Sequence, residues 1–371
     1  CSVARVLADE IAVSGIAAHH RWERLAELAS TLGCSAACVT ADAALEPLRQ
    51  ALPRHTAALA GETGMIDMVT RPEVDTVLCA ISGTAGLKPV LAAIRAGKDI
   101  ALASKEILVM AGQLVVEEVA RHGTRLLPVD SEHSALFQCL QGYSRNQVRR
   151  LILTASGGPF RTWSPAELTG VTVDQALAHP TWRMGPKITV DSATMMNKAL
   201  EIIEAHWLFD MPADSIDVVI HPQSVIHSLI EFVDRSMLAQ LGSPDMRLPI
   251  QVALLYPERR GTGLPVCDLK TLSSLTFEEP DSTKFPALRL AVQALKAGGT
   301  APLVLNAANE VAVAAFRAGS LSFPGIWYAV EDVLQRLSPP VAGETLDAIL
   351  AADRRARAVA EEVVQSLKKQ A

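Results

Sequence analysis

Asn197, Lys198 and Glu201 put an amide, an ammonium group and a carboxylate close together in "VDSATMMNKALEIIE" (190–204). The spacing predicts a helix capped by Asp191 or Ser192, whose free N–H groups and positive dipole end invite an anion such as a phosphate. Lys198 adds a formal charge there, and Glu201, followed by Glu204, projects a carboxylate beside the same anion. In "LLPVDSEHSALFQ" an apolar strand runs into Asp130, Ser131, Glu132 and His133. If the strand persists, its period of two sets Asp130 and Glu132 on one side, half of an oxygen site for magnesium or manganese rather than zinc. "LTASGGPF" (153–160) ends a strand in Ser156, Gly157 and Gly158, small enough for backbone and hydroxyl to approach a ligand. "HPTWRMGPK" (179–187) places His179, Trp182, Met184 and Gly185 in a segment without period, suited to a lid. Each has a plainer reading: a polar strand end, a capped helix with a surface Lys–Glu pair, a Trp packed under a loop.

The elements that must position these groups begin with an alternation of strands and helices. Apolar stretches at "IAVSGIAA", "AACVT", "TVLCAIS", "DIALAS" and "RLLPV" are separated by helical patterns such as "RWERLAELASTLG" and "GLKPVLAAIRAGK". That is a doubly wound, Rossmann-like α/β domain. Ligands bind beyond the carboxyl ends of such strands, at "GTAG" (83–86) and at Ser104, Lys105 and Glu106. "CSVARVLADE" has helical spacing at Val3, Val6 and Leu7, so a dinucleotide domain's first strand and glycine-rich turn are expected upstream of Cys1. Without them, exposed strand edges predict a less stable first domain, prone to association, and melting in more than one step. "AAHHR" supplies His19, His20 and Arg21 after a strand, where an adenosine ribose and its 2′-phosphate are read.

Further on, "HSLIEFVDRSMLAQLG" alternates around a short turn and predicts an antiparallel hairpin. A Pro-, Gly- and Ser-rich stretch then leads to helical patterns at "FPALRLAVQALKAGG", "LNAANEVAVAAFRAG" and "TLDAILAADRRARAVAEEVVQSLKKQ". The expected organisation is an NADPH-binding domain (1–125), an α+β catalytic, metal and substrate domain (126–255), a linker (256–281) and a C-terminal helical domain without evident chemistry (282–371).

With 371 residues, several domains are expected, and 49% hydrophobic with 20% charged residues is a globular composition. A formal net charge of -6 offers no basic surplus for a nucleic-acid backbone. No apolar run is long enough for a membrane span and no leader pattern opens the chain, so a cytoplasmic protein is expected. The six cysteines form no CxxC pair and no dense framework, and predict buried or free thiols.

Taken as a set, "PVDSEHSALFQ", "LTASGGPF", "HPTWRMGPKITVDSATMMNKALEIIEAHWLF", "IHPQSVIHS", "LAQLGSPDMRLPI" and "LNAANEVAVAAF" resemble the signature segments of the 1-deoxy-D-xylulose 5-phosphate reductoisomerase family, in family order, between residues 75 and 320. The resemblance implies an NADP-dependent oxidoreductase of non-mevalonate isoprenoid biosynthesis. Such an enzyme rearranges 1-deoxy-D-xylulose 5-phosphate and reduces the product to 2-C-methyl-D-erythritol 4-phosphate.

By motif, Asp130, Glu132 and Glu201 would hold Mg2+ or Mn2+, with Lys105 beside the metal-bound oxygens. Ser156, Ser192, Asn197 and Lys198 match the phosphate contacts, with His179 and Trp182 on the lid and Ser131 a neighbouring substrate contact. His133 and His227 match histidines lining the site. The cofactor-facing set is His19, His20, Arg21, Ser104, Lys105, Glu106, Gly185 and Met246. A homodimer, to which the hairpin contributes, is implied by resemblance. A nicotinamide-free metal-dependent sugar-phosphate isomerase or aldolase, and a chain that binds metal and sugar phosphate without turnover, remain alternatives.

Overall fold

Short Ala-, Val- and Leu-rich strands alternate with helices through the first part of the chain. A computed structural model describes residues 1–180, 182, 184–261, 263–272, 274–338 and 345–368. In order come α1 (Ser2–Val6), β1 (Gly15–Ala18), α2 (Trp22–Leu32), β2 (Ala36–Val39), α3 (Leu45–Ala51), β3 (Ala57–Ala60), α4 (Gly61–Thr70), β4 (Thr76–Cys79), α5 (Leu87–Arg95) and β5 (Asp99–Leu102). Then follow α6 (Glu106–His122), kinked at Ala111, β6 (Leu126–Pro128), α7 (Ser131–Leu140), β7 (Val148–Ala155), α8 (Pro165–Leu168), α9 (Val173–Leu177), α10 (Pro186–Ala193) and α11 (Met196–Phe209). The remainder is β8 (Ile216–Ile220), β9 (Ile226–Phe232), β10 (Met237–Leu241), α12 (Arg247–Leu255), α13 (Ala287–Ala297), α14 (Ala301–Arg317), α15 (Gly325–Arg336) and α16 (Leu346–Lys368).

Two compact units result. One comprises Cys1–Ser104, Glu117–Asp130 and Asp245–Leu264; the other comprises Lys105–Val116, Ser131–Pro244 and the described residues from Pro265 onward. The grouping is not linear in sequence, because 105–116 and 245–264 each return to the other unit.

The first unit holds two three-stranded parallel sheets, β1-β2-β3 and β4-β5-β6. β2 is buried on both faces. Ala37 and Val39 pack with Leu25, Ala29 and Leu48 of α2 and α3, while Ala36 and Cys38 meet Met65 and Met68 of α4. Burial of Cys38, with Asp67 adding to it, raises its thiol pKa to about 11, which keeps it protonated and inert. Two sequence expectations are corrected here. β3 is an additional strand whose "AALA" shows no alternation, and Val6 turns outward, leaving Val3 and Leu7 to bury α1.

The second unit is built on a four-stranded mixed sheet of order β10-β9-β7-β8. β9 and β10 form the expected antiparallel hairpin, with Leu238 opposite Ile230. Leu151 and Leu153 of β7, Ile230 of β9, Leu136 of α7 and Ile202 of α11 make one core. Burying side chains of this size contributes about 1.5–3 kcal/mol each. α13 packs on α11, and α14 packs against α13, α15 and α16. α15 is a helix that the sequence reading did not single out, and residues 339–344 and 369–371 of the expected helical domain lie outside the described residues. Among the described residues, no helix is long and apolar enough to cross a membrane.

Candidate active site

The predicted helix over 190–204 is in fact two. α10 ends at Ala193, and Met195 adopts φ 63°, a left-handed conformation that costs a non-glycine residue about 1–3 kcal/mol and turns the chain into α11. Asp191 and Ser192 therefore do not cap the helix bearing Asn197, Lys198 and Glu201; they occupy the last turn of the helix before it. The buried Thr194 Oγ accepts from the Met196 N–H at 3.3 Å at the bend. Periodicity alone could not show the break, since apolar residues continue across it.

The strand geometry expected for Asp130 and Glu132 also yields to a turn. β6 stops at Pro128 and α7 starts at Ser131, so Glu132 stands in the first turn of a helix. Glu132 and Glu201, both of the second unit, offer carboxylate oxygens within 4.8 Å of each other, and Asp130 stands two residues before Glu132 in the chain. An all-oxygen set at that spacing fits a hard divalent ion, whose bonds run about 2.0–2.6 Å.

Two lysines neutralise this acidic group. Lys198 Nζ donates to Glu132 Oε1 at 2.7 Å and to Glu201 Oε2. Lys105, immediately before α6, donates to Asn197 Oδ1 at 2.9 Å and to Glu201 Oε1 at 3.3 Å, and Asn197 Nδ2 donates to the same Glu201 oxygen. Burial opposes the Lys198 charge, but the Glu132 and Glu201 carboxylates outweigh it and hold its pKa above the ordinary lysine value. Ser131 Oγ donates to Glu132 Oε2.

His133 and Glu204 form a second candidate ligand pair. Its histidine is already engaged: His133 Nε2 donates to the Glu201 carbonyl at 2.9 Å, while Nδ1 lies 3.4 Å from Glu204 Oε2. Both residues are fully buried, so the His133–Glu204 contact is better read as a brace between α7 and α11 than as a metal site.

A third cluster collects small polar groups. After β7 the chain turns through Gly157 and Gly158 at φ 83° and 66°, and a Cβ on Gly158 would stand 2.8 Å from the Ser192 carbonyl. This close approach brings Ser156, His179 and Ser192 together: His179 Nε2 lies 3.2 Å from Ser156 Oγ and 3.1 Å from Ser192 Oγ. The Trp182 N–H donates to His179 Nδ1 at 2.9 Å, which fixes Nε2 as the protonated nitrogen of the neutral ring. Burial lowers the His179 pKa, consistent with that tautomer. Burial likewise lowers that of His227, against the pull of Glu132.

Among the other candidates, Glu106 pairs with Lys187 at 3.1 Å, and Gly185 precedes α10 with open space beside it. In the first unit, His19, His20 and Arg21 are exposed beyond β1, with His19 Nδ1 2.7 Å from Thr40 Oγ, and Met246 precedes α12. Ser104 is turned inward and donates to the Ile81 carbonyl at 2.6 Å, so its hydroxyl clasps two strand ends. The sequence reading missed Asn309 and Lys187, which grip the buried Asp191. The available signal was the polar pair Asn306 and Asn309 in an otherwise apolar helix, since buried amides require partners.

Residues 1–112 match the 1-deoxy-D-xylulose 5-phosphate reductoisomerase model, and residues 126–209 and 241–359 match two models of that enzyme's C-terminal domain, a reach beyond the 75–320 read from motifs. The chain is 51% identical over 365 residues to the 1-deoxy-D-xylulose 5-phosphate reductoisomerase of Pelodictyon phaeoclathratiforme, covering 98% of this chain and 95% of that one. It is 55% identical over 312 residues to that of Pseudomonas putida, covering 83% and 78%. The structure of the Zymomonas mobilis reductoisomerase in complex with NADPH superposes with TM-score 0.93 at 44% identity, covering 99% and 96%. A reductoisomerase in complex with NADPH, fosmidomycin and magnesium superposes equally at 41% identity, covering 99% and 95%.

Proposed function

The chain belongs to the 1-deoxy-D-xylulose 5-phosphate reductoisomerase family, and from that membership we propose which of its residues carry the reaction. It is an NADP-dependent, divalent-metal-dependent oxidoreductase that converts 1-deoxy-D-xylulose 5-phosphate to 2-C-methyl-D-erythritol 4-phosphate in isoprenoid biosynthesis. Family membership displaces both the nicotinamide-free isomerase or aldolase and the non-catalytic binder. When bound, Mg2+ or Mn2+ supplies Lewis-acid stabilisation of the oxygens that gain charge as the carbon skeleton rearranges, and NADPH supplies the hydride.

Asp130, Glu132 and Glu201 hold the cation, the convergence of the Glu132 and Glu201 oxygens being the observation that carries the reading. Lys105, bonded to Glu201 and Asn197, supplies a buried positive charge beside the reacting oxygens, and Ser131 a hydroxyl. Ser156, Ser192, Asn197 and Lys198 bind the phosphate, and His179 offers it a neutral N–H. Trp182 and Met184 cover the substrate and exclude water. His133 and His227 line the site. On the cofactor side, His19, His20 and Arg21 present exposed nitrogen donors suited to a 2′-phosphate, with Ser104, Lys105, Glu106, Gly185 and Met246 completing the set.

The domain roles go with this: residues 1–125 take NADPH and residues 126–255 carry the chemistry. A homodimer formed through the hairpin is supported by the exposed apolar side chains of edge strand β10, Met237, Leu238 and Leu241. A cytoplasmic location is supported by the buried thiols of Cys34, Cys38 and Cys139. The test is NADPH oxidation with 1-deoxy-D-xylulose 5-phosphate and Mg2+ or Mn2+. Turnover that needs both substrate and cation establishes the assignment; a folded, NADPH-binding chain that leaves this substrate unchanged overturns it.

A further inference from the structure

Lys198 is 4% exposed, and among the described residues its ammonium donates to two carboxylates, Glu132 and Glu201. These are two of the three oxygen donors suited to a divalent ion. An ion bonded to them at about 2.1 Å would bring its charge within a few ångströms of the ammonium. The two cations therefore compete for one pair of carboxylates. Lys198 also has another destination. It sits in the first turn of α11, just beyond the bend at Met195 that joins it to Ser192, and its four-carbon stem is flexible. Lys105 remains bonded to Asn197 and Glu201 as a second positive charge, so the carboxylates would not lose all neutralisation if Lys198 left.

We propose that Lys198 is an exchanging countercharge: its ammonium leaves Glu132 and Glu201 when a divalent cation binds there, and takes a phosphate-monoester oxygen of the substrate instead. Cation and phosphate binding are then coupled through one side chain. The phosphate draws away the cation's competitor, and by linkage the cation raises phosphate affinity by the same factor. The coupling rests on the site assignment above and deepens it, because a substrate bearing a phosphate completes the metal site that its own carbonyl and hydroxyl oxygens then use.

Mn2+ binding to the full chain, followed by the paramagnetic resonance signal of the free ion, tests this with methyl phosphate as the probe; it has a phosphate monoester and no carbonyl or diol to chelate the ion. In the unsubstituted chain, saturating methyl phosphate is expected to lower the Mn2+ dissociation constant about 5- to 50-fold. In Lys198→Met, Mn2+ is expected to bind more tightly than in the parent without phosphate, and methyl phosphate to change its affinity less than twofold, roughly the limit of significance for such a coupling. Crystals of the parent with Mn2+ and methyl phosphate should show Lys198 on the phosphate. Mn2+ affinity indifferent to methyl phosphate in the parent overturns the exchange, as does Lys198 still bonded to Glu132 in that crystal. Coupling kept in full by Lys198→Met assigns it to direct attraction between ion and phosphate, and also overturns it. Metal-dependent turnover without coupling defeats the exchange alone. Failure of Mn2+ to bind either protein defeats the site assignment with it.

Discussion

Asn309 of α14 donates its amide to Asp191 Oδ1 of α10 at 2.8 Å, and Lys187 reaches Asp191 Oδ2 at 2.8 Å from one turn earlier. Both Asn309 and Asp191 are buried to within 1%. A helix of the C-terminal bundle thus holds the turn that carries Ser192. Asn309→Leu is expected to leave the carboxylate short of a donor and to lower stability by about 1–3 kcal/mol. Through Ser192 it should raise KM for the sugar phosphate more than it lowers kcat. Chemical melts and steady-state kinetics check both, and an unchanged KM would show that Ser192 is placed without this bond.

Glu201 is fully buried and accepts from Asn197, Lys198 and Lys105, so its charge is used in full. Glu201→Gln keeps the shape and removes the charge. Activity is expected to fall about 100- to 1,000-fold, the scale of losing one preorganised electrostatic group. Chelation of divalent ions should silence the parent enzyme, with Mg2+ or Mn2+ restoring it. NADPH oxidation measures both; a variant within tenfold of the parent would remove Glu201 from the ligand set.

At Gly158, φ is 66° and a Cβ would press on the Ser192 carbonyl at 2.8 Å. Gly158→Ala must move the turn away from α10 or strain the backbone, at a cost of about 1–3 kcal/mol. Separating Ser156 from Ser192 should weaken phosphate binding several-fold. Thermal melts and titration with methyl phosphate check this; wild-type affinity would mean that the two serines do not act on one anion.

His179 is half-buried and neutral, its pKa drawn below the ordinary 6.5 by that partial burial. A lowered folded-state pKa means that the unfolded chain takes up the proton first as pH falls. The stabilisation is complete above about pH 6.5 and is lost as pH drops from there through the lower folded value. His227 shifts in the same direction. Urea midpoints between about pH 7.5 and pH 5 should therefore fall, and fall less in His179→Asn. Equal slopes in the two proteins would show that His179 is not held neutral.

Composition and period made the alternating strands and helices of the first unit, β3 excepted, and the β9–β10 hairpin legible, because burial on one or both faces of a strand leaves its mark at spacing two and on a helix at 3.6. Of the residues singled out for chemistry, Lys105, Glu132, Asn197, Lys198 and Glu201 are in mutual contact in the structure. What the sequence could not contain was their mutual placement. The bend at Met195 interrupts a pattern that reads as one helix, and the turn at Ser131 converts an expected strand pair into a junction and a helix. Lys105 and Glu201, 96 residues apart, meet only because packing of the second unit brings the start of α6 to α11. Asn309 finds Asp191 across 118 residues for the same reason. Local periodicity records which face of an element is buried, whereas the partner across that face is chosen by the close packing of the whole unit.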